Sequence, residues 1–115
     1  MIRLAMVSRP LAEADLRLAK QMGMTDVVTT MTGIPMMPEP IQRPAWSYLD
    51  LLQLRQRVDD AGLTLSVIEG YQLSDRITLG LPGCDEDLAQ VCETITNLGR
   101  VCIPIYCYIF MAVFN

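Results

Sequence analysis

Few side chains of this sequence stand out as candidates for binding a small molecule. Glu69 offers a carboxylate, and Tyr71, two residues on, offers a phenol that can reach over a strand end. Arg9 offers a guanidinium that matches a substrate carboxylate. Each also has a plainer role. Glu69 can pair with a neighbouring Arg or Lys, Tyr71 can pack against a loop, and Arg9 can be a surface residue ahead of a helix. No histidine is present, so the chain has no imidazole base, no imidazole metal ligand and no Ser-His pair. The four cysteines, Cys84, Cys92, Cys102 and Cys107, contain no Cys-x-x-Cys spacing, which argues against zinc. They are expected to be buried free thiols.

Composition removes other classes of function. A chain of 115 residues makes one domain of ordinary size, able to bury about two-thirds of its unfolded surface. A net charge of -4 disfavours nucleic acid and an anionic membrane surface as partners. The start "MIRLAMVSRP" has no apolar core before a small-residue cleavage site, so no secretory signal is expected. Residues 101–114 carry no charge, yet they fall short of the about 20 residues a membrane span needs, and Pro104 interrupts them. A cytoplasmic protein is the expectation.

The elements that must position the candidate residues alternate two periodicities. Strands are expected at 2–8, 26–30, 63–69 and 101–111, and helices at 10–22, 48–61 and 85–98. Pro10 fits the first turn of the first helix and Gly23 its C-terminal cap. That helix is expected to bury Leu11, Ala14, Leu18 and Met22. The second opens on Ser47 and Asp50, an acidic form of the capping box, and closes on Gly62. Its face is Leu51, Leu54, Val58 and Ala61, with Arg55 and Asp59 paired outside. The third has Asp85, Glu86 and Asp87 in its first turn and a stripe of Leu88, Val91, Cys92 and Ile95. Residues 31–47 hold Pro35, Pro38, Pro40 and Pro44 and read as a long loop. Met36 and Met37 read as packing filler there, and Trp46 as an anchor for the loop or the following helix, with sugar stacking as the alternative. A polar loop is expected from the third strand to Gly83.

The order β-α-β-α-β-α-β implies parallel strands with right-handed crossovers. Strands without alternation imply burial on both faces. No Gly-x-Gly-x-x-Gly and no Walker loop is present. Two architectures remain: a small doubly wound sheet, or an α/β chain forming part of a (β/α)8 TIM barrel. Each β-α unit takes roughly 30 residues, close to a barrel of about 250 residues over eight units. The chain also ends on a strand with no covering helix. Both points favour the barrel, with residues 1–115 as its N-terminal half. Barrel active sites lie at the C-terminal ends of the strands. That selects Ser8 and Arg9, Thr29 and Thr30, Glu69 to Tyr71, and Tyr108 to Met111.

The segments "VVTTMTGIP" (27–35), "WS" (46–47), "AGLTLSVIEG" (61–70), "ITLGLPG" (77–83), "ETITNLG" (93–99) and "CYIFMAVF" (107–114) occur in order at plausible spacing. Together they resemble the mannonate dehydratase family. The resemblance implies a xylose isomerase-like barrel that dehydrates D-mannonate to 2-keto-3-deoxy-D-gluconate in hexuronate breakdown. It also implies a divalent metal, Mn2+, to hold the charge of an ene-diolate, and a general acid to help the hydroxyl leave. The implied ligands are two His, a Cys and an Asp from later strands, so residues 1–115 are expected to hold no metal and no catalytic residue. The substrate-binding candidates of this chain are Glu69, Tyr71 and Arg9.

Departures from the family pattern are specific. Ser74 stands where the family has a His after the third strand, Ile109 stands for an Asn and Ala112 for a Pro. Cys107 belongs to the fourth-strand motif and is not the ligand cysteine. Because the implied metal ligands lie outside residues 1–115, the chain alone is expected to be inactive. A sugar isomerase or epimerase on a related barrel, or a non-catalytic α/β module, is the alternative. A half-barrel leaves two raw sheet edges, so a homo-oligomer through those edges is a further expectation, testable by light scattering.

Overall fold

The computed structural model describes residues 2–8, 11–30 and 46–110. Its elements run β1 (Ala5–Val7), α1 (Glu13–Gln21), β2 (Asp26–Thr30), α2 (Tyr48–Asp60), β3 (Thr64–Gln72), α3 (Asp75–Thr78), α4 (Cys84–Arg100) and β4 (Ile105–Ile109). The strands form one parallel sheet in the order β1-β2-β3-β4. That order separates the two architectures. A doubly wound sheet reverses direction at a switch point, whereas sequential parallel neighbours are the arrangement of a barrel wall. No helix of the described residues is long and apolar enough to cross a membrane.

The three long helices end the same way. Gly23 and Gly62 take positive φ two residues past α1 and α2, and Cys102 does so two past α4. In each case two backbone N–H groups return to the last turn, as with Cys102 to Gly99 and Ile103 to Leu98, both at 3.0 Å. This is the Schellman arrangement, and Leu98 and Ile103 add its buried apolar contact. The closure explains why the fourth strand starts at Ile105 and not at 101: Val101 and Cys102 are spent on ending α4. Similarly, α1 starts at Glu13, after an extended Ala12, and not at residue 10. The expected Ser47 cap is present: its hydroxyl accepts from the Asp50 N–H at 3.1 Å. The segment after β3 is not all loop, because Ser74 caps the short helix α3.

The helices α1, α2 and α4 lie against one face of the sheet, and α3 packs on α4. Met6, Val27, Leu65, Ile68 and Tyr106 point into that layer and meet Leu11, Leu16, Ala19, Leu51, Leu54, Val58 and Leu98. Trp46 is buried there too, with its backbone N–H donating to Thr94 Oγ1 and its backbone carbonyl accepting from Asn97 Nδ2. It is an anchor; burial leaves its ring no access to a sugar.

The opposite face carries Val7, Val28, Val67 and Ile105, which are register partners across the sheet. A bulge after Val27 keeps these partners on one face. Val7 and Ile105, on the edge strands, are 54% and 52% exposed. The expectation that both faces of the fourth strand are covered is therefore corrected: its burial pattern is mostly exposed, because no described element lies over this side.

Two helical stripes are also corrected. In α1 the buried residues are Leu16 and Ala19, while Leu18 and Met22 are exposed. In α4 they are Thr94, Asn97 and Leu98, while Leu88 and Ile95 are exposed. Only α2 buries the stripe read from sequence, Leu51, Leu54 and Val58. The cysteines depart as well: all four are free thiols, but Cys92, Cys102 and Cys107 are exposed.

Candidate functional site

The C-terminal ends of the strands divide into two sets. Ser8 and Thr29 point toward the helices and are buried. The Thr29 hydroxyl donates to the Ser8 carbonyl at 2.9 Å, and the Ser8 hydroxyl donates to Asp15 Oδ2 at 3.1 Å. These bonds tie the end of β1 to β2 and to the first turn of α1, so both residues serve the fold. Asp15 has no sequence motif to mark it; only the first-turn position of an acidic residue hints at such a bond.

Thr30, Glu69 and Cys107 make the second set. They are register partners on β2, β3 and β4, two positions beyond the valine row and on the same uncovered face. Adjacent parallel strands lie about 4.8 Å apart, so a carboxylate stands between a hydroxyl and a thiol within reach of one small molecule. Thr30 is buried, Glu69 half-buried and Cys107 exposed. The row is thus graded from the interior of the sheet to its β4 edge. A bulge after Glu69 puts Tyr71 opposite Tyr108. Bulges at such rims re-aim side chains beside active sites.

Of the three predicted substrate contacts, Glu69 is placed at the mouth. Tyr71 is placed there by its backbone register, its side chain lying outside the described structure. Arg9, with the proline-rich loop, Met36 and Met37, lies outside the described residues. Cys107 is not among the residues selected from sequence, because register across three strands does not show in sequence.

The other end of the same face has a different chemistry. Asp26 opens β2 and is only 2% exposed. Arg3 binds it with Nε at 2.9 Å and with Nη2, and the Thr25 hydroxyl donates to Oδ2. Burial alone pushes this carboxyl up. Hydrogen bonds from Thr25, Arg3 and Ser66, with the charge of Arg3, outweigh burial and hold it below the usual range. The N-terminal end of a barrel wall is the stability end. A charged residue opening an otherwise apolar strand was the available signal.

Ser74 lies two residues past the C-terminal end of β3 and is used as a helix cap. Its hydroxyl accepts from Ile77 N–H and donates to Asp87, and Arg76 binds the same carboxylate through Nε at 2.9 Å. The Ser74 bond first, then Arg76, holds Asp87 below the usual carboxyl range against the opposing effect of burial. The position of the family's His is here a helix cap. A groove of about 480 Å³ between α1 and α2, lined by Arg17, Lys20 and Arg57, also lies on the helix side. Its cations are committed: Lys20 donates to the Gly62 carbonyl, Arg57 to the Leu11 carbonyl and Arg17 to Glu13.

Among the described residues no cluster of three His, Cys, Asp or Glu could hold a metal ion. The Thr30-Glu69-Cys107 row offers one carboxylate and one thiol. It does not fit the ligand set of a structural or catalytic metal by itself.

Comparison with known proteins places this geometry. The family D-mannonate dehydratase (UxuA) matches residues 8–115. The mannonate dehydratase of Streptococcus equi subsp. zooepidemicus is 36% identical over 93 residues, which cover 81% of this chain and 24% of that protein. The mannonate dehydratase of Thermotoga maritima is 33% identical over the same shares. The crystal structure of mannonate dehydratase from Streptococcus suis serotype 2 superposes with a TM-score of 0.82 at 28% identity, over 99% of this chain and 32% of that one. The chain therefore spans about a quarter of the length of the curated relatives it matches. Its four sequential parallel strands are part of a TIM-like barrel, and the chain belongs to the D-mannonate dehydratase family.

Proposed function

We propose that this chain supplies the opening strands of a mannonate dehydratase, a lyase that removes water from D-mannonate in cytoplasmic glucuronate catabolism. The family match over residues 8–115 carries the reading. The polar row at the C-terminal strand ends supports it, because that is where a barrel binds substrate. In this reading the partner is a sugar acid, with no nucleic acid and no membrane involved. Glu69 and Thr30 form part of the floor of the site, where a carboxylate and a hydroxyl at strand spacing can bond neighbouring hydroxyls of a polyol. Tyr71 and Arg9 are the further substrate-binding candidates, Arg9 as a match for the substrate carboxylate. The metal of the complete enzyme is Mn2+, its ligands lying outside residues 1–115, and the 115-residue chain is inactive alone.

A chimera tests this directly. Residues 8–115 replace the matching segment of the Streptococcus suis enzyme, and dehydration of D-mannonate is assayed with Mn2+ present. Turnover by the chimera and none by the 115-residue chain is the expected pair of results. A folded chimera without turnover, or turnover by the chain alone, contradicts the reading.

A further inference from the structure

The parallel ladder between β1 and β2 is short, and its last pair is Val7 with Val28. One residue further, at the mouth end, Ser8 is buried and its backbone and side-chain polar groups are all engaged. Its backbone N–H donates to the Val28 carbonyl at 3.0 Å. Its carbonyl accepts from the Thr29 hydroxyl, and its own hydroxyl donates to Asp15. Bonds to two different elements therefore fix Ser8 just where the ladder stops.

Thr29 is a polar residue in an apolar place. It is fully buried on the helix side of β2, as are Val27 and its register partner Ile68, and a valine would fill nearly the same volume. A buried hydroxyl needs a partner, and this one takes it from the neighbouring strand. Such a bond adds little net stability; what it adds is a defined position for the group it holds. Asp15 is placed to the same end. It lies in the first turn of α1, whose N-cap Ala12 supplies no side-chain bond, and the Ser8 hydroxyl ties that turn to the strand end. Leu11 is buried as well, and its carbonyl accepts from Arg57. Both neighbours of the two-residue stretch 9–10 are thus anchored, and Arg9 is covalently joined to Ser8.

We propose that Thr29 and Asp15 are positioning residues for substrate binding: by holding Ser8 they fix the strand end that carries Arg9. The inference rests on the reading of Arg9 as the match for the substrate carboxylate. A planar guanidinium binding a carboxylate depends on where its backbone starts, and a strand end ordered in advance removes that ordering cost from binding. The effect belongs in KM, because neither positioning residue acts on the reacting atoms.

The chimera with the Streptococcus suis enzyme tests it, with kcat and KM for D-mannonate and the unfolding midpoint measured on each variant. Thr29→Val should raise KM about tenfold with kcat within about twofold of the parent. Thr29→Ser keeps the hydroxyl and should hold KM within about twofold. Asp15→Ala should raise KM about threefold. Arg9→Ala should raise KM more than either, and adding Thr29→Val or Asp15→Ala to it should raise KM no further, because all act through one group. An unaltered KM in Thr29→Val, Asp15→Ala or Arg9→Ala overturns the proposal, whatever happens to the midpoint. So does a rise of full size in the Arg9→Ala background, or a Thr29→Ser variant as impaired as Thr29→Val. If Thr29→Val does not fold, Asp15→Ala in the two backgrounds decides by the same criteria. An inactive parent chimera overturns the dehydratase reading and this inference with it; an active parent with indifferent variants overturns this inference alone.

Discussion

The two ends of the uncovered sheet face hold carboxylates in opposite circumstances. At the N-terminal end Asp26 is buried, and Arg3, Thr25 and Ser66 all bond to it. At the C-terminal end Glu69 is half-buried in a row with Thr30 and Cys107. A buried charge must be paired to exist in a folded protein, so Asp26 is committed to the fold. Glu69 remains accessible at the strand ends where a barrel binds its ligand. Burial, and not residue type, separates these two carboxylates.

That difference predicts a ranking of effects. Asp26→Ala should be the largest, at about 2–3 kcal/mol of lost stability in denaturant unfolding, because it removes several charge-assisted bonds at once. A loss below about 0.5 kcal/mol would put Asp26 in the same class as an ordinary surface residue.

Acid should act on the same end. The Asp26 carboxyl is held below its unfolded value, so its contribution is complete above about pH 4, where the unfolded carboxyl is ionised. It is lost as pH falls from there through the lowered folded value. Asp87 has the same sign. Stability should therefore fall below about pH 4 in the parent chain, and less steeply in the Asp26→Asn variant. Parallel pH curves for the two would remove Asp26 from the acid response.

Ser66→Ala takes away one neutral donor to Asp26 and should cost about 1 kcal/mol. The Arg3 and Thr25 bonds stay in place. Glu69→Gln should be the smallest, within about 0.5 kcal/mol of the parent, as at a position whose role is not stability. A loss of stability at Glu69 equal to that at Asp26 would erase the distinction between the two ends.

How much of this was legible in the sequence depends on what each residue's signal specifies. The α2 stripe of Leu51, Leu54 and Val58 was read correctly because its cover lies within the described chain. The stripes of Leu18 and Met22 on α1 and of Leu88 and Ile95 on α4 are just as periodic, yet they are exposed. Periodicity says that a face is apolar; it does not say which element covers it. The caps at Gly23 and Gly62 were readable because glycine tolerates positive φ. Cys102 does the same at the end of α4 and gave no such cue, so the fourth strand was started too early. At the site, Glu69 was legible as a strand-end carboxylate. Its alignment with Thr30 and Cys107 was not, because register is set by pairing and by the bulges beside Val27 and Glu69. The role of Asp26 does not show in sequence, since its partner Arg3 is far off in the chain and near only in the fold.

The contrast between the two carboxylates is tested most directly in the chimera with the Streptococcus suis enzyme, by comparing Glu69→Gln with Asp26→Asn. Both kcat/KM for D-mannonate and the midpoint of unfolding are measured. Glu69→Gln should lower kcat/KM about a hundredfold with the midpoint unchanged, and Asp26→Asn should lower the midpoint with kcat/KM within about threefold of the parent. Full activity in the Glu69→Gln chimera would contradict the placement of Glu69 in the substrate site.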